Sequence, residues 1–222
     1  MRRARSVLAI LLPIVWLICN VDALAAGASE PAPGDLEALM RRFAESGGVR
    51  ARFRESRQLS ILTDPIETQG MLYFAPPDRL ARHTSWPGRS SIVIEADRVS
   101  ISDETGQRVF DLDTSEVARA LVGNLMVVFR GDLEALRERY SISFESAAES
   151  WTLDLEPRSR ALRSVIERVH FAGEGQNLLA METREPNGDR TVVKFSEIEV
   201  GVSWQQRDLD EIFSIDPPDT AP

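Results

Sequence analysis

Cysteine is almost missing from this chain: one residue of 222, Cys19, carries a thiol, and it lies in an apolar run near the N-terminus. The chain beyond that run therefore has no disulfide framework, no thiol nucleophile and no thiolate metal site. Histidine is nearly as scarce, with His83 and His170 alone, and neither stands in a His-Glu-x-x-His arrangement that would hold zinc. Gly-x-Ser-x-Gly, a P-loop and a complete Gly-x-Gly-x-x-Gly are absent too; Gly173-Glu174-Gly175 lacks the third glycine and fits a hairpin turn. These absences leave no cofactor and no metal to expect. A histidine triad would have to recruit His83 or His170 from a strand, and a hydrolase built on carboxylates alone would draw on residues whose separation sequence does not give. Hydrolysis is therefore a third class, behind two kinds of binding protein, and the expectation is a protein without catalytic residues.

Positive charge is in deficit as well. Lys and Arg number 26 against 35 Asp and Glu, for a net charge of −9. Residues 1–25 hold three Arg and one Asp, so the remainder carries 23 basic and 34 acidic groups, a net −11. Such a surface repels phosphate backbones, and no basic cluster reverses it locally, which excludes nucleic acid as a partner. With 43% hydrophobic and 27% charged residues, the chain has the balance of a folded protein with a real core.

The N-terminus reads as an export signal: Arg2, Arg3 and Arg5, an apolar run from Val7 to Cys19, then Ala23-Leu24-Ala25 with small residues at the cleavage positions. Cleavage after Ala25 is expected. The run is 13 residues with Pro13 inside it, short of the roughly 20 that a membrane-spanning helix needs. A lipid-modified cysteine normally follows Gly or Ala; bulky Ile18 precedes Cys19 here, so Cys19 reads as part of the run. Export through this signal places the protein in the periplasm.

Residues 26–33 read as a linker. Leu36, Leu39, Met40 and Phe43 then recur at helical spacing in a helix over Asp35 to Ser46, stopped by Gly47-Gly48. From Val49 the period becomes two: Val49, Ala51 and Phe53 on one face of a strand, Arg50, Arg52 and Arg54 on the other. Further strands are predicted at Ile66–Ala75, Arg79–Trp86, Ser91–Ala96, Arg98–Asp103 and Gln107–Leu112. After a helical pair they resume at Tyr140–Glu145, Trp151–Glu156, Val165–Phe171, Leu178–Arg184 and Thr191–Val200. Asn187-Gly188 predicts a hairpin between the last two, and Ile212 to Pro218 a short edge segment. The helical pair consists of Val117–Phe129, preceded by a capping-box pattern at Asp113–Glu116, and Leu133–Arg139, which Asp132 can cap. About ten short strands with about three helices predict a mainly β (α+β) fold, a curved antiparallel sheet with helices on one face. The expected organisation is one domain over residues 34–218 and a disordered tail at 219–222.

The helix Val117–Phe129 is apolar on most of its circumference, through Leu121, Val122, Leu125, Met126, Val127, Val128 and Phe129. Either it is buried on several sides or it lines an apolar cavity between sheet and helices. Unbranched Met40 and Met126 suit both readings.

Gly70-Met71-Leu72-Tyr73-Phe74-Ala75-Pro76-Pro77-Asp78-Arg79-Leu80 resembles the second strand and following turn of the LolA-type periplasmic lipoprotein carriers. Val49-x-Ala51-x-Phe53 is similar to that family's first strand, and Asn187-Gly188-Asp189-Arg190-Thr191 with Phe195 to its late hairpin. Phe213 and Pro217-Pro218 are similar to its closing Phe-x-x-x-Pro-Pro. Pro76 stands where the family commonly has Arg, Leu80 where an aromatic is usual, and Arg82 where Trp is frequent. Pro-Pro-Asp-Arg-Leu and the apolar helix running into Gly131-Asp132-Leu133 look more like the LolA-related branch found with lipid exporters.

The resemblance implies an unclosed antiparallel β-barrel lidded by helices around a hydrophobic cavity. It also implies a chaperone-like role in outer-membrane biogenesis, carrying acylated cargo from an inner-membrane exporter to an outer-membrane acceptor. The cargo is a lipoprotein or another acylated lipid, and the carrier a monomer. On this reading Phe53, Leu72, Phe74, Leu80, Leu121, Leu125 and Phe129 form the lipid-binding cavity. The alternative is a non-enzymatic envelope sensor or assembly partner that uses the same fold with a filled core.

Overall fold

The computed structural model describes residues 33–112 and 126–215. The export signal, the capping-box pattern at Asp113–Glu116, Leu121, Leu125 and Pro217-Pro218 lie outside them.

Helix α1 (Pro33–Glu45) buries Leu36, Leu39, Met40 and Phe43, the residues whose spacing predicts it. Gly47, at φ +72°, ends it in the left-handed conformation that glycine adopts without a Cβ penalty. Six antiparallel strands come next: β1 (Gly48–Gln58), β2 (Ile66–Ala75), β3 (Arg79–Trp86), β4 (Ser90–Glu95), β5 (Arg98–Asp103) and β6 (Gly106–Asp111). Residues 126–130 are helical and lead into α2 (Leu133–Arg139), with the Asp132 carboxylate accepting from the Ala135 N–H at 3.0 Å as its cap. Then come β7 (Tyr140–Ala147), β8 (Ser150–Pro157), a single turn α3 (Arg160–Arg163), β9 (Arg168–Glu174), β10 (Asn177–Arg184), β11 (Arg190–Val202) and α4 (Gln206–Ile212).

The eleven strands make one sheet in the order β6-β5-β4-β3-β2-β1-β11-β10-β9-β8-β7. Within the described residues its edges, β6 and β7, do not pair with each other, so the barrel is unclosed. Its curvature follows from one side chain. On a flat sheet β2 and β8, five strand spacings apart, would be separated by roughly 24 Å. Yet Phe43 of α1 packs edge-on against Trp151 of β8, centroids 5.8 Å apart, and shares a cleft with Leu72 of β2. The sheet therefore curls around its helices, and its inner face carries the large apolar core.

The outer face is solvated along β1, where Arg50 and Arg52 bond to Glu199 and Glu197 of β11. It is covered at β2–β4 by the C-terminal segment: Phe213 packs with Ala75, Ala81 and Val93, flanked by Tyr73, Trp204, Leu209 and Ile212. The Trp204 indole N–H donates to the Phe74 carbonyl at 3.1 Å, in space left by Gly48, where a Cβ would come within 2.2 Å of the indole nitrogen. Of the edge segment predicted over Ile212 to Pro218, the described residues 212–215 form no strand: helix α4 ends at Ile212, and Phe213 is held by side-chain packing. The predicted strand start at Val165 also moves, to Arg168, because α3 and its following turn bury Leu162 and Ile166 first.

Gly131 joins the 126–130 helix to α2 at φ +66°, and a Cβ there would lie 1.9 Å from the Met40 carbonyl of α1. Both the conformation and the contact require glycine, so Gly131→Ala is expected to destabilise the protein by about 2 kcal/mol or more in denaturant unfolding. Gly175→Ala, at φ +54° with nothing within 4 Å, should show the conformational cost alone, about 1 kcal/mol.

Candidate functional site

A small apolar cleft, with a cavity volume of about 10 Å³, lies between the inner face and the helices. The sheet contributes Val49 and Ala51 from β1, Leu72 from β2, Leu178 from β10 and Phe195, Ile198 and Val200 from β11; Phe43 and Phe129 close it from the helices. Gln176, in the β9–β10 turn, is its polar member. That is room for about one water molecule, so helices and sheet lie nearly in contact across the cleft.

A β-bulge builds one wall. Arg50 pairs with Glu199 but Arg52 pairs with Ser196, so Glu197 and Ile198 together face Ala51. Glu197 takes φ +51° to accommodate the extra residue. Strict alternation from Phe195 would send Glu197 and Glu199 inward. The bulge reverses the phase, so Ile198 and Val200 enter the cleft while both glutamates reach Arg52 and Arg50 outside.

Of the cavity residues expected from sequence, Leu72 and Phe129 line this cleft. Phe53, Phe74 and Leu80 belong to the same core cluster and are almost fully buried, at 1%, 2% and 0% exposure. Phe74 stacks on Phe129 with centroids 5.2 Å apart, which seats the 126–130 helix on the sheet. Arg130, at the end of that helix, donates from Nε to the Pro77 carbonyl at 2.8 Å, tying the helix to the β2–β3 turn. The role of Arg130 was not legible in sequence, because the contact spans 53 residues. Phe43, Val49, Ala51, Gln176, Leu178, Phe195, Ile198 and Val200 also line the cleft and are not among the expected cavity residues. The signal for the last two was the three-residue gap between Phe195 and Ile198 in an otherwise two-residue rhythm.

Beyond Phe53 the inner face becomes charged. Glu55, in phase with Phe53, is 1% exposed and accepts from the Arg82 guanidinium at 3.1 Å. Arg82 also reaches the Thr68 hydroxyl at 3.2 Å and lies over the Phe53 ring, 4.1 Å from its centroid. At Gly70 on β2, a Cβ would lie 1.9 Å from the His83 carbonyl oxygen, so glycine lets the β3 backbone approach closely there. Burial pushes the Glu55 carboxyl up to about 7 against the pull of Arg82 and Arg57, and burial pulls Arg82 below its usual value. One register step further on, Arg57 faces Glu185 at 3.8 Å, too far for a hydrogen bond, and burial pushes Glu185 up to about 7 as well.

The two histidines lie on the outer face, away from the cleft. His83 Nε2 is 2.7 Å from the Ile212 carbonyl, so Nε2 carries the proton and Nδ1 accepts from the Ser91 hydroxyl at 3.0 Å. Burial lowers its pKa, and its role in this geometry is to hold the end of α4. His170 is raised by its bond to Asp154, 3.1 Å away on β8.

The geometry is thus an open antiparallel sheet curled around helices, with an apolar cleft between the two. The chain belongs to the outer membrane lipoprotein carrier protein LolA-like family, whose model matches residues 28–196. It is 24% identical over 136 residues to the outer-membrane lipoprotein carrier protein of Chromohalobacter salexigens, covering 60% of this chain and 61% of that relative's length. Among solved structures it is similar to a LolA superfamily protein from Nitrosomonas europaea, at 8% identity and TM-score 0.44, over 79% of this chain and 96% of the other. It is also similar to the Pseudomonas aeruginosa MucA/MucB complex structure, at 14% identity and TM-score 0.47, over 79% and 60%.

The charged end of the inner face can be probed by substitution and by pH. Arg82→Met leaves Glu55 buried without its partner and is expected to cost about 3–5 kcal/mol in unfolding free energy, most of it recovered in the Arg82→Met/Glu55→Leu double variant. Stability should also fall as pH rises from 5 to 8. Glu55 and Glu185 hold protons in the folded state up to about 7, while the unfolded chain releases them near 4.5, so the stabilisation present at low pH is lost through that window. His83 and His170, shifted in opposite directions, oppose each other there. The depressed carboxyls of Asp103 and Asp189 act below pH 4. The expected loss is about 1 kcal/mol or more, roughly 2–4 °C in melting temperature, flattened in Glu55→Gln/Glu185→Gln.

Proposed function

We propose that this chain is a non-enzymatic periplasmic carrier, exported by a signal peptide over residues 1–25 and folded as one domain over 34–218. It takes the acyl chains of a lipoprotein or another lipid into the cleft, as a monomer, and moves them from an inner-membrane donor to an outer-membrane acceptor. The observation that carries this reading is the cleft itself, walled by nine apolar side chains and one glutamine, in a member of a carrier family. An acyl chain exposed to water costs about 0.8 kcal/mol per CH₂, so crossing an aqueous compartment requires a dry container. The wall formed by the 126–130 helix is held through Phe129 on Phe74 and through Arg130 on Pro77. An incoming acyl chain can replace the apolar contact like for like, and a single exposed hydrogen bond is a small barrier to movement.

Ile198 is the place to test this, because it lines the cleft while only partly buried, so a change there spares the deep core. Ile198→Glu puts a charge into the cleft and is expected to weaken binding of a fluorescent fatty acid by about tenfold or more, with far-ultraviolet circular dichroism unchanged. Unchanged binding in a folded variant would remove the cleft from the function.

A further inference from the structure

The inner face holds two buried ion pairs of different completeness. The Arg82–Glu55 pair is closed, with Thr68 and the Phe53 ring completing it. The Arg57–Glu185 pair is open: Arg57 Nε and Glu185 Oε1 are both buried without a hydrogen-bond partner. On the two adjacent strands, Thr191 pairs in register with Arg57 and with Thr183, so the three side chains lie in one row on the inner face. The hydroxyls of Thr191 and Thr183 are likewise buried and without a partner, the residues being 1% and 2% exposed. Four unused polar atoms thus lie on the inner face at the same end of β1, β11 and β10, where buried groups are ordinarily satisfied.

This row lies two inward-facing register steps beyond Phe53–Phe195, and Phe195 lines the cleft. That is about 13 Å along β11, within the length of an ordinary acyl chain. We propose that the Arg57–Thr191–Thr183–Glu185 row is the subsite for the uncharged polar head of the acyl ligand, a glycerol-like group bearing hydroxyls. The inference rests on the carrier reading above. The atoms on offer match such a group: one N–H donor, one carboxyl oxygen and two hydroxyls that both donate and accept. An anionic head fits less well, because Glu185 and nearby Asp189 oppose the single guanidinium of Arg57. Asp189 is already occupied by the Ser60 N–H and hydroxyl and by Asn187, which fixes the β1–β2 and β10–β11 hairpins around the row.

The test compares three probes of equal chain length, 1-monopalmitoylglycerol, palmitate and methyl palmitate, on the wild-type protein and on Thr183→Val/Thr191→Val. Valine matches threonine in shape, and the lost hydroxyls have no partner, so the variant should melt at or above the wild-type temperature. The wild type should prefer monopalmitoylglycerol to methyl palmitate, and that preference should fall about tenfold in the variant, with methyl palmitate binding unchanged. An equal preference in both proteins would mean that the hydroxyls hold water only, and would overturn the proposal. Palmitate bound most tightly and most affected would overturn the uncharged head in favour of an anion. A variant that melts lower would show the hydroxyls to be structural and would overturn the subsite. Failure of the wild type to bind any of the three would instead defeat the carrier reading, and the subsite with it.

Discussion

A sheet of eleven antiparallel strands whose edges do not meet cannot bury its inner face against itself, so something else must cover it. Here helices do. The core cluster runs from Ile101 on β5 to Phe144 on β7 through Leu39, Met40 and Phe43 of α1 and Val128 and Phe129 of the 126–130 helix. Because the cover is separate from the sheet, its fit is set by a few close approaches: Gly131 against the Met40 carbonyl, Phe129 on Phe74 and Phe43 on Trp151. The cleft is where this fit is incomplete.

The inner face also changes character along the strands. From Val49 to Phe53 it is apolar, and from Glu55 to Arg57 it is charged, although every residue in that series is on the same face of β1. Placing charges inside a core is expensive, and the two arginine–glutamate pairs reduce that cost to different extents. The outer face divides similarly. Arginine–glutamate pairs hold the solvated part of β1 and β11, while the C-terminal segment covers β2–β4 with Phe213 and Trp204 and is fastened by His83. Both histidines lie on this outer face, His83 on the Ile212 carbonyl and His170 on Asp154.

The strands were legible because their alternation is local: Ile66–Ala75, Arg79–Trp86 and Arg98–Asp103 match their predicted bounds, and α2 matches its own with the expected Asp132 cap. The solvated arginine face of β1 was legible for the same reason. The lining of the cleft was legible only in part. Leu72 and Phe129 stand out by pattern, but Ile198 and Val200 enter through a bulge that shifts the phase by one residue, and Leu178 and Phe43 are brought in by tertiary packing. Glu55 and Arg82 were hidden because polar residues on a strand are ordinarily assigned to solvent, whereas these two continue the inward face and satisfy each other across 27 residues. Helix α4 was missed because Gln206–Ile212 has little apolar periodicity of its own and is held by Trp204 on one side of it and Phe213 on the other.

If the cleft carries acyl chains, the protein purified gently from its native envelope leaves the cell loaded, and mass spectrometry reads this without any substitution. Spectra recorded under non-denaturing and then denaturing conditions should show a stoichiometric acyl lipid or acylated peptide that departs when the fold is lost. A protein that arrives empty and takes up no added fatty acid would rule acyl carriage out.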